Sequence, residues 1–262
     1  TAQLKNIKKG DLLTSSQLDE RFNKVSSVAI TPKTMQKVIE FYAERKEWPK
    51  ADLVINKYIA FIKANNDQQL GSLFKKLSRG YQSNKNYSDQ IDIENKRLSL
   101  ILNIEGEGSE NLVSTYENIG YAKYRLKEYD NAIDSYEKAI TLTIEDKDKI
   151  FLYTQMGWVY GANKSYLERV SVEQKRIDVI TRLEGESSMK LASSYENIAY
   201  AKYRLDDNTS AIKFYEKALA LRTKPEDKAK IYKQLGWAHK SSKNYDKLMD
   251  ALLERYGMLV DE

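Results

Sequence analysis

The sequence has 262 residues, with 43 Lys and Arg against 38 Asp and Glu, for a formal net charge of +5. It is 41% hydrophobic, which is too apolar for a disordered chain, and its interspersed charges exclude the dense basic patch of a dedicated nucleic-acid binder. With no cysteine there can be no disulfide, thiol catalysis or thiolate metal site, and no apolar run approaches the ~18 residues of a membrane span. None of this fixes the compartment, cytoplasmic or periplasmic. The sequence starts at Thr1 rather than Met, which leaves room for a removed signal, anchor or further domain.

Residues 1–30 stand apart as an N-terminal segment. Thr14-Ser-Ser-Gln17 has the form of a capping box, and Leu18, Phe22 and Val25 come after it at helical spacing. This predicts a short helix near residues 15–27 that covers the first helical unit; the alternative is a frayed tail. At Thr31-Pro32 a cap precedes proline at a first helical position. The next helix carries Met35, Val38, Ile39 and Tyr42, Trp48-Pro49 marks a turn, and a second helix carries Ala51, Ile55 and Tyr58.

The same helix–turn–helix pattern returns along the chain. A second unit has Phe74, Leu77 and Tyr81, then Tyr87 and a helix with Gln90, Glu94 and Arg97. A third has Tyr116, Ile119 and Gly120, then Tyr129, Ala132, Tyr136 and Ala139. A fourth has Tyr153, Met156, Gly157 and Tyr160, then Tyr166, Arg169, Glu173 and Arg176. A fifth has Tyr195, Ile198 and Ala199, then Asn208, Ala211, Tyr215 and Ala218. A sixth has Tyr232, Leu235, Gly236 and His239, then Tyr245, Leu248 and Leu252. Tyr116–Leu126 and Tyr195–Leu205 differ only at Gly120 against Ala199, 79 residues apart. The units therefore alternate in kind, and a pair of units has been duplicated.

Large residues are expected to fill the space within each helix pair, with Gly120, Gly157, Gly236, Ala132 and Ala211 small where backbones approach. The aromatic after each turn is expected to pack that turn against its own pair. One pair cannot bury its apolar face alone, so the units must stack. The polar second helices of units two and four should pack more loosely or pair charges across repeats.

These residues resemble the tetratricopeptide repeat family over residues 31–257, most strongly in units three and five. The links at Glu105-Gly-Glu-Gly-Ser-Glu110 and Glu184-Gly-Glu-Ser187 look like those of kinesin light chains and their bacterial relatives. The resemblance implies an all-α fold, a right-handed superhelical solenoid of about six repeats. The approximate divisions are 32–70, 71–112, 113–149, 150–191, 192–228 and 229–262. Lys123 and Lys202 stand where the family has an aromatic, so their stems should snorkel while Tyr124 and Tyr203 move toward the groove. The family's final capping helix has no counterpart after Gly257–Val260, so either the sequence given stops early or another chain covers that face.

In such arrays the first helix of each unit lines the concave side. A second stripe on these helices comprises Glu117, Tyr121, Tyr124 and Arg125, then Trp158, then Glu196, Tyr200, Tyr203 and Arg204, then Lys233, Trp237 and Lys240. Unit two adds Lys75, Arg79 and Gln82. As a groove, this stripe suits a protein or peptide segment with acidic and apolar residues; as packing, it would join neighbouring first helices. Asn118 and Asn197 would suit the family's clamp for a C-terminal carboxylate. Tyr121, Trp158 and Tyr200 stand where that clamp needs asparagine, so no clamp is expected.

The expected function is a non-catalytic interaction scaffold with no cofactor and no metal site. His239, the only histidine, sits at a core position, and Gly106 and Gly108 lie in a link without the strand or lysine of a phosphate loop. Self-assembly through the C-terminal end into a homo-oligomer is one alternative. Single-stranded RNA binding is another, disfavoured by the modest charge.

Overall fold

A computed structural model describes residues 69–260, together with residues 37–39, 41, 42, 45, 47, 50, 51, 53 and 54. The expected helix at 15–27, the Thr31-Pro32 start, Met35, the Trp48-Pro49 turn, Ile55 and Tyr58 lie outside the described residues. The chain divides into two compact units, Thr1–Asn86 and Tyr87–Glu262. In the first, Val38, Ile39, Tyr42, Ala51 and Val54 are buried. Helix α1 (Gln69–Ser83) buries Leu73, Phe74, Leu77 and Tyr81 on one face, and its Lys75 and Arg79 are exposed.

Among the described residues the second unit is wholly helical. It runs α2 (Tyr87–Glu105), α3 (Asn111–Arg125), α4 (Tyr129–Leu142), α5 (Asp146–Ala162), α6 (Tyr166–Glu184), α7 (Leu191–Arg204), α8 (Asn208–Leu221), α9 (Pro225–Ser241) and α10 (Tyr245–Val260). Helices α3/α4, α5/α6, α7/α8 and α9/α10 form hairpins, and each hairpin packs on the next. The first helices α3 and α5 also touch each other, as do α7 and α9.

Local chemistry sets the helix boundaries. Asp207 caps α8 by accepting the Ser210 N–H at 3.1 Å, and Pro225 opens α9 where a missing N–H costs nothing. Each turn inside a hairpin needs one residue in the left-handed region. Lys127, Lys164, Asp206 and Lys243 supply it, with φ of 65°, 61°, 60° and 56°. After α2 and α6, Gly106 and Gly185 take φ of 83°, where a side chain would be strained.

The core follows the expected spacing. Tyr136 is fully buried among Ala132, Ala139, Leu152 and Met156, and Tyr215 among Ala199, Ala211, Ala218 and Leu235. Each such ring contributes roughly 1.5–3 kcal/mol by leaving water. Gly120 and Gly157 are small for a different reason from the one expected, because side chains and not backbones come close to them. A Cβ on Gly120 would lie 3.1 Å from the Tyr136 ring, and one on Gly157 would lie 2.7 Å from Glu173 Oε1.

The polar second helices are not loose, since Glu94 and Glu173 are 0% and 1% exposed. Arg97 donates to Glu94 at 3.3 Å and to Ser114 of the next hairpin at 2.8 Å. Asn118 donates to the other oxygen of Glu94 at 2.6 Å. The arrangement repeats in Arg176, Glu173, Ser193 and Asn197, with Arg169 donating to Asn197 Oδ1 at 2.8 Å. Charge is thus paired within one helix and hydrogen-bonded across to the next repeat, which is how a buried ion pair avoids a net penalty.

Candidate functional site

The stripe on the first helices is built from three kinds of environment. The first is a repeated tyrosine–arginine cluster. Arg125 donates to the Tyr121 hydroxyl at 2.7 Å and stacks 4.8 Å from the Tyr87 ring, whose centroid is 6.1 Å from that of Tyr121. Arg204 donates to the Tyr200 hydroxyl at 2.9 Å and stacks 4.9 Å from Tyr166, which is 6.3 Å from Tyr200. The bonded phenol raises each arginine's pKa. Both guanidiniums are exposed, fixed in direction and left with donors that can grip a carboxylate.

The aromatic after the turn packs on its own pair at Tyr129, 6.2 Å from Tyr124, but these clusters correct that expectation for Tyr87 and Tyr166. Tyr87 and Tyr166 pack on the following unit's tyrosine and arginine, because that ring pair and cation are within reach. Tyr245, at the same place in α10, is 64% exposed.

The second environment is open aromatic surface. Trp158 on α5 and Trp237 on α9 are 50% and 42% exposed, and Lys233 lies 5.2 Å from the Trp237 ring. Lys240 is exposed one turn beyond Trp237. The third is half-buried and shared with the core. Tyr124 packs on the α4–α6 cluster, 6.2 Å from Tyr129, and Tyr203 packs on the α7–α10 cluster. Lys202 pairs with Asp207 at 3.2 Å. Beneath the stripe, burial pushes the phenols of Tyr136 and Tyr215 well above the ordinary tyrosine pKa.

The two glutamates of the stripe differ. Glu196 accepts Nε of Arg222 at 2.9 Å, together with a second N–H of the same guanidinium. Glu117 has Thr143 where Glu196 has Arg222, and it too is engaged within the chain. Asn118 and Asn197 hold the buried carboxylates of Glu94 and Glu173 and are not presented to a ligand. The residues that sequence reasoning left out of the site are Glu94, Arg97, Ser114 and their copies. A side-by-side reading of the two copies would have shown Glu–Arg and Ser–Asn recurring together. Lys75 and Arg79 belong to the first compact unit.

Comparison with known proteins agrees with this architecture. A sequence profile of the tetratricopeptide repeat matches residues 113–143 and 192–225. No curated protein sequence matches significantly. Among solved structures, BtubC (BKLC) of P. vanneervenii is similar at a TM-score of 0.60 and 15% identity, over 89% of this chain and 92% of that one. The nearly identical TPR-like repeats of a Podosopora anserina protein described as a kinesin light chain give a TM-score of 0.61 at 12% identity, over 74% and 98%. MamA from Desulfovibrio magneticus RS-1 gives 0.54 at 14%, over 74% and 97%. At these identities the likeness is one of fold. Among the described residues no helix is long and apolar enough to cross a membrane. With two matched repeats and consecutive helix hairpins stacked as in these structures, the second compact unit carries tetratricopeptide repeats at residues 113–143 and 192–225 and shares the fold of tetratricopeptide repeat arrays.

Proposed function

We propose that the chain is a non-catalytic scaffold that holds a partner's extended or helical segment against the wall formed by α3, α5, α7 and α9. The repeats are divided as the sequence suggests, and the partner segment carries acidic and apolar residues. The observation that carries this reading is the pair of tryptophans at equivalent places, Trp158 and Trp237, left 50% and 42% exposed on first helices. Large aromatics give contact area at little entropic cost and dominate binding hot spots. Arg125 on α3 and Arg204 on α7, each held by a tyrosine, and Lys233 and Lys240 on α9 with Trp237, supply cations that suit carboxylates. Lys75 and Arg79 are exposed cations of the first compact unit and belong to the same proposal.

The test is selection of binders from a random peptide library against the full chain. Selected peptides should be rich in acidic and apolar residues, and Trp158→Ala with Trp237→Ala should weaken them at least about tenfold, the loss of one or two hot spots. Unchanged affinity in a folded double variant defeats the assignment. A second reading is favoured by α10, whose Met249, Leu253 and Tyr256 are 57%, 63% and 68% exposed. Such a face supports self-association, which concentration-dependent light scattering detects and Leu253→Glu abolishes.

A further inference from the structure

Helix α10 has two apolar sides. Ala251 and Leu248 turn inward, the first into the cluster around Leu235 and the second against Gly236 of α9. Tyr245, Met249, Leu252, Leu253 and Tyr256 are all exposed. They stand at positions i, i+4, i+7, i+8 and i+11, which share one helix face, and that face carries no charge.

The duplication shows that this is a stacking face. Helix α10 is the copy of α6 at an offset of 79 residues. Tyr245, Met249, Leu252 and Tyr256 stand where α6 has Tyr166, Val170, Glu173 and Ile177. All four of those residues meet α7. The Tyr166 ring lies 6.3 Å from that of Tyr200, Glu173 accepts from Asn197 at 2.6 Å, and Val170 and Ile177 pack with Leu191 and Ile198. In α10 the centre of the face is changed, because Leu252 takes the place of the buried glutamate and is 42% exposed. A further repeat like α7 would bring an asparagine there and find no carboxylate, which strands its amide. The face keeps the geometry of a stacking surface and fits an apolar partner.

The order of residues along the helix indicates which partner. Tyr245-Asp-Lys-Leu-Met-Asp-Ala-Leu-Leu-Glu-Arg-Tyr256 reverses chemically about its midpoint, between Asp250 and Ala251. A second copy laid antiparallel about that point has Tyr256 level with Tyr245, and Leu252 level with Met249. Charges come level with the opposite sign, Asp246 with Arg255 and Lys247 with Glu254. In a parallel pair in register, each charge would come level with itself. We propose that α10 docks antiparallel on α10 of a second copy of this chain, about a twofold axis between Asp250 and Ala251. This gives a register to the self-association that the exposed α10 face supports, and it rests on that self-association. One patch meeting itself closes the assembly at two copies. The stripe is about 16 Å long, a small contact for a permanent complex, so the dimer forms at micromolar concentrations or above.

The chain has no cysteine, so single cysteines report the register directly. The test mixes Tyr245→Cys with a tagged Tyr256→Cys chain under oxidising conditions, both with the circular dichroism of the wild type. The antiparallel pair brings these two positions level. It holds two copies of position 245 about 16 Å apart along the helix axis, beyond the ~7 Å between Cα atoms that a disulfide spans. Mixed disulfides should therefore exceed either like-chain product at least about tenfold. In sedimentation equilibrium, Leu252→Glu, which restores the residue of α6, should weaken the dimer at least about tenfold by burying an unpaired carboxylate. Leu167→Glu, at an exposed leucine of α6, should leave it unchanged. A chain that stays monomeric up to about 1 mM removes the self-association and this register together, and leaves the face to a different apolar partner. A dimer in which Tyr245→Cys links to itself is parallel. A dimer that links neither way, or that survives Leu252→Glu, uses another surface. Either of these results keeps self-association and overturns the α10 register.

Discussion

Gly157 and Glu173 offer a test of the buried junction in which the sign of one substitution depends on the other. A Cβ added at Gly157 would lie 2.7 Å from Glu173 Oε1. That oxygen cannot retreat easily, because Asn197 donates to it at 2.6 Å while Arg176 holds the other oxygen at 3.2 Å. Alanine inside a helix gains about 1 kcal/mol over glycine in propensity. Crowding a well-packed site costs about 1–3 kcal/mol. Gly157→Ala alone should therefore be neutral to destabilising by about 2 kcal/mol. Glu173→Ala alone should cost about 3–5 kcal/mol, since it leaves Arg176 buried without its counter-charge. In the Glu173→Ala background the clash is gone, so Gly157→Ala should stabilise by about 1 kcal/mol. The cycle is read from urea midpoints by far-ultraviolet circular dichroism, and its coupling energy should be about 1–3 kcal/mol. If alanine at 157 has the same effect with and without Glu173, the carboxylate is not what fills the space the glycine leaves.

Other outcomes concern the turns and caps. Lys164→Gly should stabilise by about 0.5–1 kcal/mol in thermal or urea unfolding, because the left-handed conformation costs a side chain more than glycine's extra freedom loses; Lys164 has φ of 61°. Asp207→Ala should destabilise by about 1 kcal/mol through loss of the α8 cap. Hydrogen bonds from Ser210 hold the Asp207 pKa below the usual carboxylate value. Its contribution is present above the unfolded pKa and fades as pH falls through the folded one, so the wild type and Asp207→Ala should converge in acid. His239 is buried, and burial lowers its pKa. Its neutral form is the folded one, so stability should decline as pH drops below the ordinary histidine value of about 6.5. His239→Tyr, which places there the residue found at Tyr81 and Tyr160, should remove that component of the pH profile.

Much of the helical register was legible because periodic burial leaves a mark in sequence. Ile119, Ala132, Tyr136 and Ala139 sit at spacings that only one helix face satisfies, and all are buried. Periodicity says which face turns inward. It does not say which neighbour meets that face. Tyr87 was readable as a packing residue, but its partners Tyr121 and Arg125 come from the next hairpin. Glu94 and Arg97 were readable as charge that either loosens a helix or pairs across repeats. The letters do not choose between these, because a buried polar residue looks like an exposed one and differs only in having partners. Single residues were weaker signals still. Thr143 and Arg222 occupy the same place in two copies, yet the threonine bonds back to the Ala139 carbonyl while the arginine reaches across to Glu196.

Where the two copies agree and where they differ has a physical pattern. Glu94, Arg97, Ser114 and Asn118 reappear unchanged as Glu173, Arg176, Ser193 and Asn197, and Tyr87, Tyr121 and Arg125 as Tyr166, Tyr200 and Arg204. Each of these side chains is held by others in the set, so changing one strands a buried charge or an unpaired donor in its partners. The network is costly to alter one residue at a time. The exposed link between α4 and α5 and the start of α5 have no such mutual dependence. Glu145, Ile144 and Phe151 face outward, and exchanging them for Lys224, Thr223 and Lys230 breaks no shared bond. Divergence between the copies has therefore collected on exposed surface, while the polar junctions that stack one hairpin on the next stayed fixed. The tyrosine–arginine clusters belong to both classes. They are locked from within by the phenol and the ring beneath, and they still present a guanidinium outward. The two copies thus present one chemical group in the same way, at Arg125 and Arg204, on surfaces that differ beside them.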